Sequence, residues 1–388
     1  MLRGDTAKEI RGELDLSPEV DNNIAVLPRR IASESEIDWG KVRRVLVIRL
    51  RSIGDTVLAT PSLIALRRFL PNAQIDILLE DWVAPLLDGF DAVDNVISIP
   101  KSSASRIKTA WRLRKDKYEV VFNLHGGTTG TFFTFASGAQ YRVGYTEYQY
   151  NFLYNHLLTS AADFWKQETT HSAEQQLALL GFIGVPVDDK PRSKLCVTTS
   201  ATESLNEKFY LKTQKLLSEF GQYALFHPAA AFETKRWATQ NFARTSEFLH
   251  EKGLRTIAVA TKLERGVLDD LQSIAGVAII TFDDLTLPEI TALASKARLF
   301  VGNDSGIAHI AAAVQTSSLV IFGSSNSDHW RPWTNAPSEI VYEEYPCQPC
   351  AGYECKEFGV PLCINNIKPA AVFKAIDKVL AANKKGEL

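Results

Sequence analysis

"RRVLVIRL" at residues 43–50 runs straight into "RSIGDTVLATPSLIALRRFLP" at 51–71. The first segment is a short apolar run rich in branched residues, the composition of a buried strand. The second carries Leu58, Leu63, Leu66 and Leu70 on related helical faces and is stopped by Pro71 and Asn72. Gly54 stands between the two, where a tight turn or the close approach of a ligand is helped by a missing Cβ. A strand, a glycine turn and a helix open a parallel α/β unit.

The same alternation continues outward. "AQIDILLE" (73–80), "VDNVISIP" (93–100), "YEVVFNLHG" (118–126) and "YRVGY" (141–145) read as further strands, with a short helix at "APLLDGF" and a basic one at 106–117. "NLHGGTTGT" (123–131) reads as a flexible polar loop at a strand end, lining a pocket or merely connecting. After a link near 185–200 the pattern repeats. Strands are expected at 223–230, 255–261, 277–283, 297–304 and 317–325, separated by helices at 240–252, 263–274, 288–295 and 306–313. A helix at 201–220 precedes this set and an amphipathic helix at 368–385 ends it. The expected fold class is α/β: two doubly wound domains facing across a cleft, with ligands at the carboxyl ends of the strands. The expected partition is an extension at 1–40, a first domain at 41–195, a second at 196–366, and a terminal helix and tail at 367–388.

Composition narrows the function classes. The 388 residues are 45% hydrophobic and 23% charged, with a formal net charge of −2, so nothing global points to nucleic acid. No apolar run reaches the roughly 18 residues of a membrane span. "MLRGDTAKEIRGELDLSPEV" lacks the apolar core of a secretory signal. The expectation is a cytoplasmic protein whose membrane contact, if any, is peripheral. The basic residues Arg106, Lys108, Arg112, Arg114, Lys115 and Lys117 either meet an anionic partner or form a solvated helix face. Of five cysteines, Cys347, Cys350, Cys355 and Cys363 crowd into "CQPCAGYECKEFGVPLC". The first pair has a zinc half-site spacing and the second does not, so a zinc cluster and a structural loop both remain open.

Three strand-to-helix junctions carry chemistry. Asp55, after Gly54, sits where a helix cap belongs. It is either that, or a carboxylate shown to the cleft and suited to take a proton from a hydroxyl. In "VGNDSGIAHIAAA" (301–313) a buried strand ends at Asp304 and a helix starts at Ser305 and Gly306. Free backbone N–H groups at such a start attract phosphate. Asp304 is itself anionic, so it caps the helix, orients a lysine or accepts from a sugar hydroxyl. His309, one turn on, either points back at the ligand or is a satisfied, half-buried ring. In "FHPAAAFETKRWATQNFA" (226–243), Lys235, preceded by Thr234, either reaches a diphosphate or is half of a solvated Lys-Arg pair. "FGSSNSDHWRPW" (322–333) brings two tryptophans near the cleft rim. No Asp-x-Asp pair for a nucleotide-bound Mg²⁺ and no Gly-x-x-x-x-Gly-Lys-Ser/Thr loop accompanies these junctions, so no metal or cofactor is expected.

Taken together, "VLVIRLRSIGDTVLATPSLIALRRFLP", "KRWATQNFA", "FVGNDSGIAHIAAAVQTSSLVIFG" and "WRPW" resemble glycosyltransferase family 9, the ADP-heptose:lipopolysaccharide heptosyltransferases, over about residues 41–383. The cysteine-bearing tail is similar to that of heptosyltransferase II members. The resemblance implies the GT-B fold: an acceptor-side and a nucleotide-sugar-binding Rossmann-like domain, with the last helix crossing back to the first domain. It also implies inverting, metal-independent transfer of heptose from ADP-heptose to the inner core of lipopolysaccharide. By the same resemblance Asp55 is the base and Lys235 contacts the phosphates. Asp304, Ser305, Gly306 and His309 contact the donor, and Glu264 is the loose match for a ribose-holding acid. Ser305 replaces the more usual threonine, Ile307 a proline or leucine, and Asn123 a frequent aspartate ahead of the Gly126–Gly130 loop. Three other readings stay open: a family 9 transferase with another nucleotide-sugar, a non-catalytic nucleotide-sugar-binding protein, and an epimerase of the same fold.

Overall fold

The computed structural model describes residues 37–350 and 353–385; nearly all of the expected 1–40 extension lies outside them. The chain forms two sheets, each six-stranded and parallel throughout. The first contains β1 (Arg44–Ile48), β2 (Gln74–Glu80), β3 (Asn95–Ile99), β4 (Val120–Asn123), β5 (Tyr141–Tyr145) and β6 (His156–Leu158), in the order 3-2-1-4-5-6. The second contains β7 (Tyr223–His227), β8 (Arg255–Val259), β9 (Ile279–Phe282), β10 (Leu299–Asn303), β11 (Ser318–Phe322) and β12 (Ser338–Tyr342), in the equivalent order 9-8-7-10-11-12. Both are doubly wound, with a topological switch point at which β1 and β10, and the helices after them, deliver side chains to one cleft.

Val45 to Ile48 are fully buried, as a central parallel strand covered on both faces requires. The β1–β4 register pairs Ile48 with Asn123, so the loops after these strands open side by side. Helix α1 (Ile53–Phe69) begins two residues ahead of Asp55. Asp55 is therefore not the cap; Ser52 holds that position, and the carboxylate lies within the first turn. Helix α2 (Ser103–Asp116) is the basic helix. The stretch expected to be a loop at 123–131 is a tight turn followed by helix α3 (Gly127–Ser137). Asn123 Oδ1 accepts from the backbone N–H of His125 and Gly126 at 3.0 Å, and Gly126 and Gly127 adopt φ of 66° and 64°. That left-handed pair is what the two glycines permit, and the stretch reads as a flexible polar loop in sequence because it holds no apolar period.

Strands β6 and β12 and the helix Ser172–Gly181 were not legible in the sequence. β6 has three residues, and β12, an edge strand, is only half-buried, so neither shows a clear alternation. The terminal helix Pro369–Lys385 also departs from expectation. It packs on β11, β12 and the helix Thr239–Glu251, so it stays on the second domain rather than crossing to the first. Val372, Ile376 and Val379 join that domain's core, and Trp237 Nε1 donates to Ile367 O at 2.9 Å just ahead of it. One apolar core runs unbroken from Val57 and Leu63 of α1 to Ile307 and Ile310 of the helix Gly306–Ala313, joining the domains at the base of the cleft.

Candidate active site

The first-domain half of the site grows from β1. Its apolar run ends in Arg49, a buried guanidinium that pairs with Asp55 Oδ1 through Nη2 and donates to Leu124 O through Nη1. The Ser52 hydroxyl donates to the other carboxylate oxygen, Oδ2, at 3.0 Å. Asp55 is thus fixed by two neighbours and one-fifth exposed, so it faces the cleft without being dissolved in it. A cavity of about 210 Å³ opens beside it, lined among others by His125, Tyr148, Gln176, His329 and Trp330. The sequence reading missed Arg49 as a site residue, although a lone cation at the end of "VLVIRL" was the visible signal.

The second-domain half grows from β10. Asn303 ties down the loop after β7, with its side-chain amide donating to Pro228 O at 2.8 Å and its Oδ1 accepting from Trp237 N at 3.0 Å. That places Lys235, on the turn Glu233–Lys235, with Nζ 2.8 Å from Asp304 Oδ2. The Ser325 hydroxyl donates to the same oxygen at 2.6 Å. Asp304 therefore orients a lysine, one of its three expected roles. Thr234 is buried, its hydroxyl accepting from Ser324 Oγ at 2.9 Å, so its side chain anchors the turn instead of facing the cleft. Ser305 is the N-cap of the helix Gly306–Ala313 but does not cap with its side chain; the hydroxyl bonds His227 Nδ1 at 3.0 Å.

The two halves meet at glycines. A Cβ on Gly54 would stand 2.7 Å from His309 Cδ2, and one on Gly306 would stand 2.6 Å from Ile53 Cβ and 3.2 Å from Gly54 N. Two helix starts from different domains touch there, and only residues without side chains fit. Gly306→Ala is expected to destabilise the fold by about 1–3 kcal/mol through overpacking, because Ile53 belongs to the packed junction and cannot swing away. Urea unfolding checks this, and an unchanged midpoint would show that the junction is loose.

His309 lies at this contact, 4% exposed, with Nδ1 lacking a partner. Burial depresses its pKa, opposed by the charges of Asp304 and Asp55. His227 and His125 are pushed down to about 4, and His171 to about 3, in each case chiefly by burial. These rings are neutral when folded and become protonated below about pH 6.5 when unfolded. Their folded-state stability is therefore complete above about pH 6.5 and falls as the pH drops from there towards about 4, by up to about 1.4 kcal/mol per ring per pH unit. Urea midpoints at pH 7.5, 6 and 5 should fall in that order; a flat series contradicts the burial of these rings.

A larger cavity of about 660 Å³ lies on the other side of the junction, between Trp82 and Asp88 of the first domain and the ends of β8 and β9, including Thr261, Lys262 and Asp284. Glu264 stands at the end of the β8 loop. Its Oε2 accepts from Thr261 N at 3.1 Å and Thr261 Oγ1 at 2.7 Å, so this carboxylate is engaged in its own turn. Cys347, Cys350, Cys355 and Cys363 line one small cavity as free thiols, against Thr234. Among the described residues no three ligating side chains form a group able to hold a metal ion.

The chain is similar over most of its length to known proteins. The chain is 24% identical to lipopolysaccharide heptosyltransferase 3 of Escherichia coli over 363 residues, covering 87% of this chain and 99% of that one. It is 26% identical to lipooligosaccharide heptosyltransferase 2 of Campylobacter jejuni, covering 84% and 96%. Its fold superposes on that of E. coli ADP-heptose lipopolysaccharide heptosyltransferase II with a TM-score of 0.72 at 19% identity, covering 88% and 99%. Residues 106–360 match the profile of glycosyltransferase family 9 (heptosyltransferase), and the chain belongs to that family of enzymes.

Proposed function

We propose that the protein transfers heptose from ADP-heptose to an inner-core sugar of lipopolysaccharide, with inversion and without a metal ion, using Asp55 as general base. The observation that carries this reading is that Asp55 of the first domain and the Lys235–Asp304 pair of the second all act on His309, which packs against Gly54 at the Gly54–Gly306 junction. The choice of substrates is supported by relatives named lipopolysaccharide and lipooligosaccharide heptosyltransferases and by the likeness in fold to an ADP-heptose lipopolysaccharide heptosyltransferase.

In this reading the nucleotide occupies the 660 Å³ cavity and its diphosphate lies at Lys235 and the start of the helix Gly306–Ala313. The lysine and the N–H groups of that start, which no carbonyl of the helix accepts, offset the leaving-group charge, which is why no cation is invoked. His309 Nδ1, buried without a partner, supplies a further polar contact to the donor. Glu264 reaches a ribose only by giving up part of its hold on Thr261. The acceptor occupies the 210 Å³ cavity beside Asp55. The acceptor O–H gives its proton to Asp55 as the oxygen attacks the anomeric carbon from the face opposite the diphosphate. One bond forms as the other breaks, so the configuration inverts.

Among the described residues no helix is long and apolar enough to cross a membrane. We place the enzyme in the cytoplasm, meeting its acceptor at the inner face of the membrane.

The donor is tested by thermal shift. ADP and ADP-heptose should raise the melting temperature, and UDP and GDP should not; binding at 100 times Kd adds about 2.7 kcal/mol. A uridine or guanine preference would favour a family 9 enzyme with a different donor. Turnover that persists with EDTA supports the metal-free step, and turnover restored only by magnesium removes it.

A further inference from the structure

We infer that the outer face of α2 and α3 is a docking surface for an anionic lipid bilayer. Between residues 101 and 117 the chain carries seven basic residues and one acidic one, while the whole protein has a formal charge of −2. Positive charge is therefore gathered on one element. Ile107, Lys108, Trp111, Arg112 and Lys115 recur at helical spacing along one side of α2, and all five are exposed. Trp111 is 67% exposed and Ile107 57%. Arg112 has an acidic neighbour, Asp116, only at 3.7 Å, and Arg114 turns back over Gly138 and does not belong to this face.

The apolar part continues beyond α2. Helix α3 packs beside it and exposes Phe132 and Phe135 while burying Phe133 between them. The turn Asn151–Leu153, packed on α3, adds Phe152 at 76% exposure. Large aromatic rings are costly to leave in water, and a contiguous set on a soluble domain marks a contact surface. Two features select a bilayer over a protein partner. Aromatic side chains interleaved with lysine and arginine suit the headgroup boundary, where rings enter the acyl edge and cations meet phosphates. The face also adjoins the proposed acceptor cavity: His125 and Tyr148 line that cavity, α3 starts at Gly127, and Phe152 follows Tyr148 by four residues. A membrane seated there presents a lipid-anchored sugar to Asp55 without a long reach. The identity of that acceptor rests on the proposed function; the lipid surface itself does not.

Vesicle co-sedimentation of the full chain, with no donor or acceptor present, separates the two. Binding to phosphatidylglycerol-containing vesicles at low salt, weakening with salt and absent on pure phosphatidylcholine, is expected. Each of Lys108→Glu and Arg112→Glu should weaken it at least about fivefold. Trp111→Ser and Phe135→Ser should also weaken it, with melting temperatures lowered only slightly because more than half of each residue already lies in water. On a delipidated acceptor these variants keep wild-type kcat, whereas on acceptor held in vesicles their KM rises. Absence of binding at low salt, binding indifferent to all four substitutions, or binding to DNA in preference to vesicles overturns the inference. Loss of turnover with vesicle binding intact would instead count against the proposed reaction.

Discussion

Asp55→Asn lowers kcat by ~10²–10⁴-fold, the usual contribution of a positioned base, while the affinity for ADP-sugar changes little. Asparagine keeps the shape and can still accept from Ser52, but it cannot take a proton. It also leaves Arg49 facing a neutral partner, and Arg49 is only 8% exposed. Some loss of stability is therefore expected, because removing one member of a buried pair uncovers the other charge. Calorimetric donor binding and a thermal melt separate the two effects. Turnover reduced less than tenfold would reduce Asp55 to the counter-ion of Arg49.

The second large effect belongs to Lys235→Ala. The ammonium sits 2.8 Å from Asp304 and beside the helix start proposed to hold the diphosphate. On the proposed mechanism its removal takes away leaving-group stabilisation, for which a loss of about 10²–10³ in kcat is typical of one such electrostatic contact. Donor affinity falls as well, unlike with Asp55→Asn. Asp304 is then left with Ser325 as its polar neighbour, so part of any lost activity could come from a loosened turn. The double variant Lys235→Ala with Asp304→Asn settles this: it should recover stability but not turnover. A double variant that recovers both would make Lys235 a partner of Asp304 and nothing more.

The fold was legible because the parallel strands are short, apolar and regularly interrupted by helical periods. "YRVGY" matches β5 residue for residue, and β1, β8 and β10 lie within the stretches expected for them. What sequence could not give was relative placement. Asp55 as cap or as displayed carboxylate depends on where α1 begins, at Ile53, and on Arg49 and Ser52, which hold the carboxylate once it lies inside the first turn. Likewise nothing in "FHPAAAFETKRW" states that Asn303, 68 residues after Lys235 in the chain, fixes the loop carrying it. Hydrogen bonds between distant segments leave no periodic trace. The last helix was misplaced for the opposite reason. The resemblance supplied a crossing, whereas Val372, Ile376 and Val379 find their apolar surface on the second domain.

Gly54 and Gly306 bring the amino ends of two helices nose to nose. Each end carries a partial positive charge of about half an electron, so the ends repel unless an anion lies between or beside them. Asp55 quiets one end; the other, at Ser305, has no carboxylate of its own in the first turn. Any parting of the two sheets would have to break this contact, and would separate Asp55 on one side of it from Lys235 on the other. On the proposed function, a phosphate seated at the Ser305 end supplies the negative charge that this end lacks, and this clasp tightens.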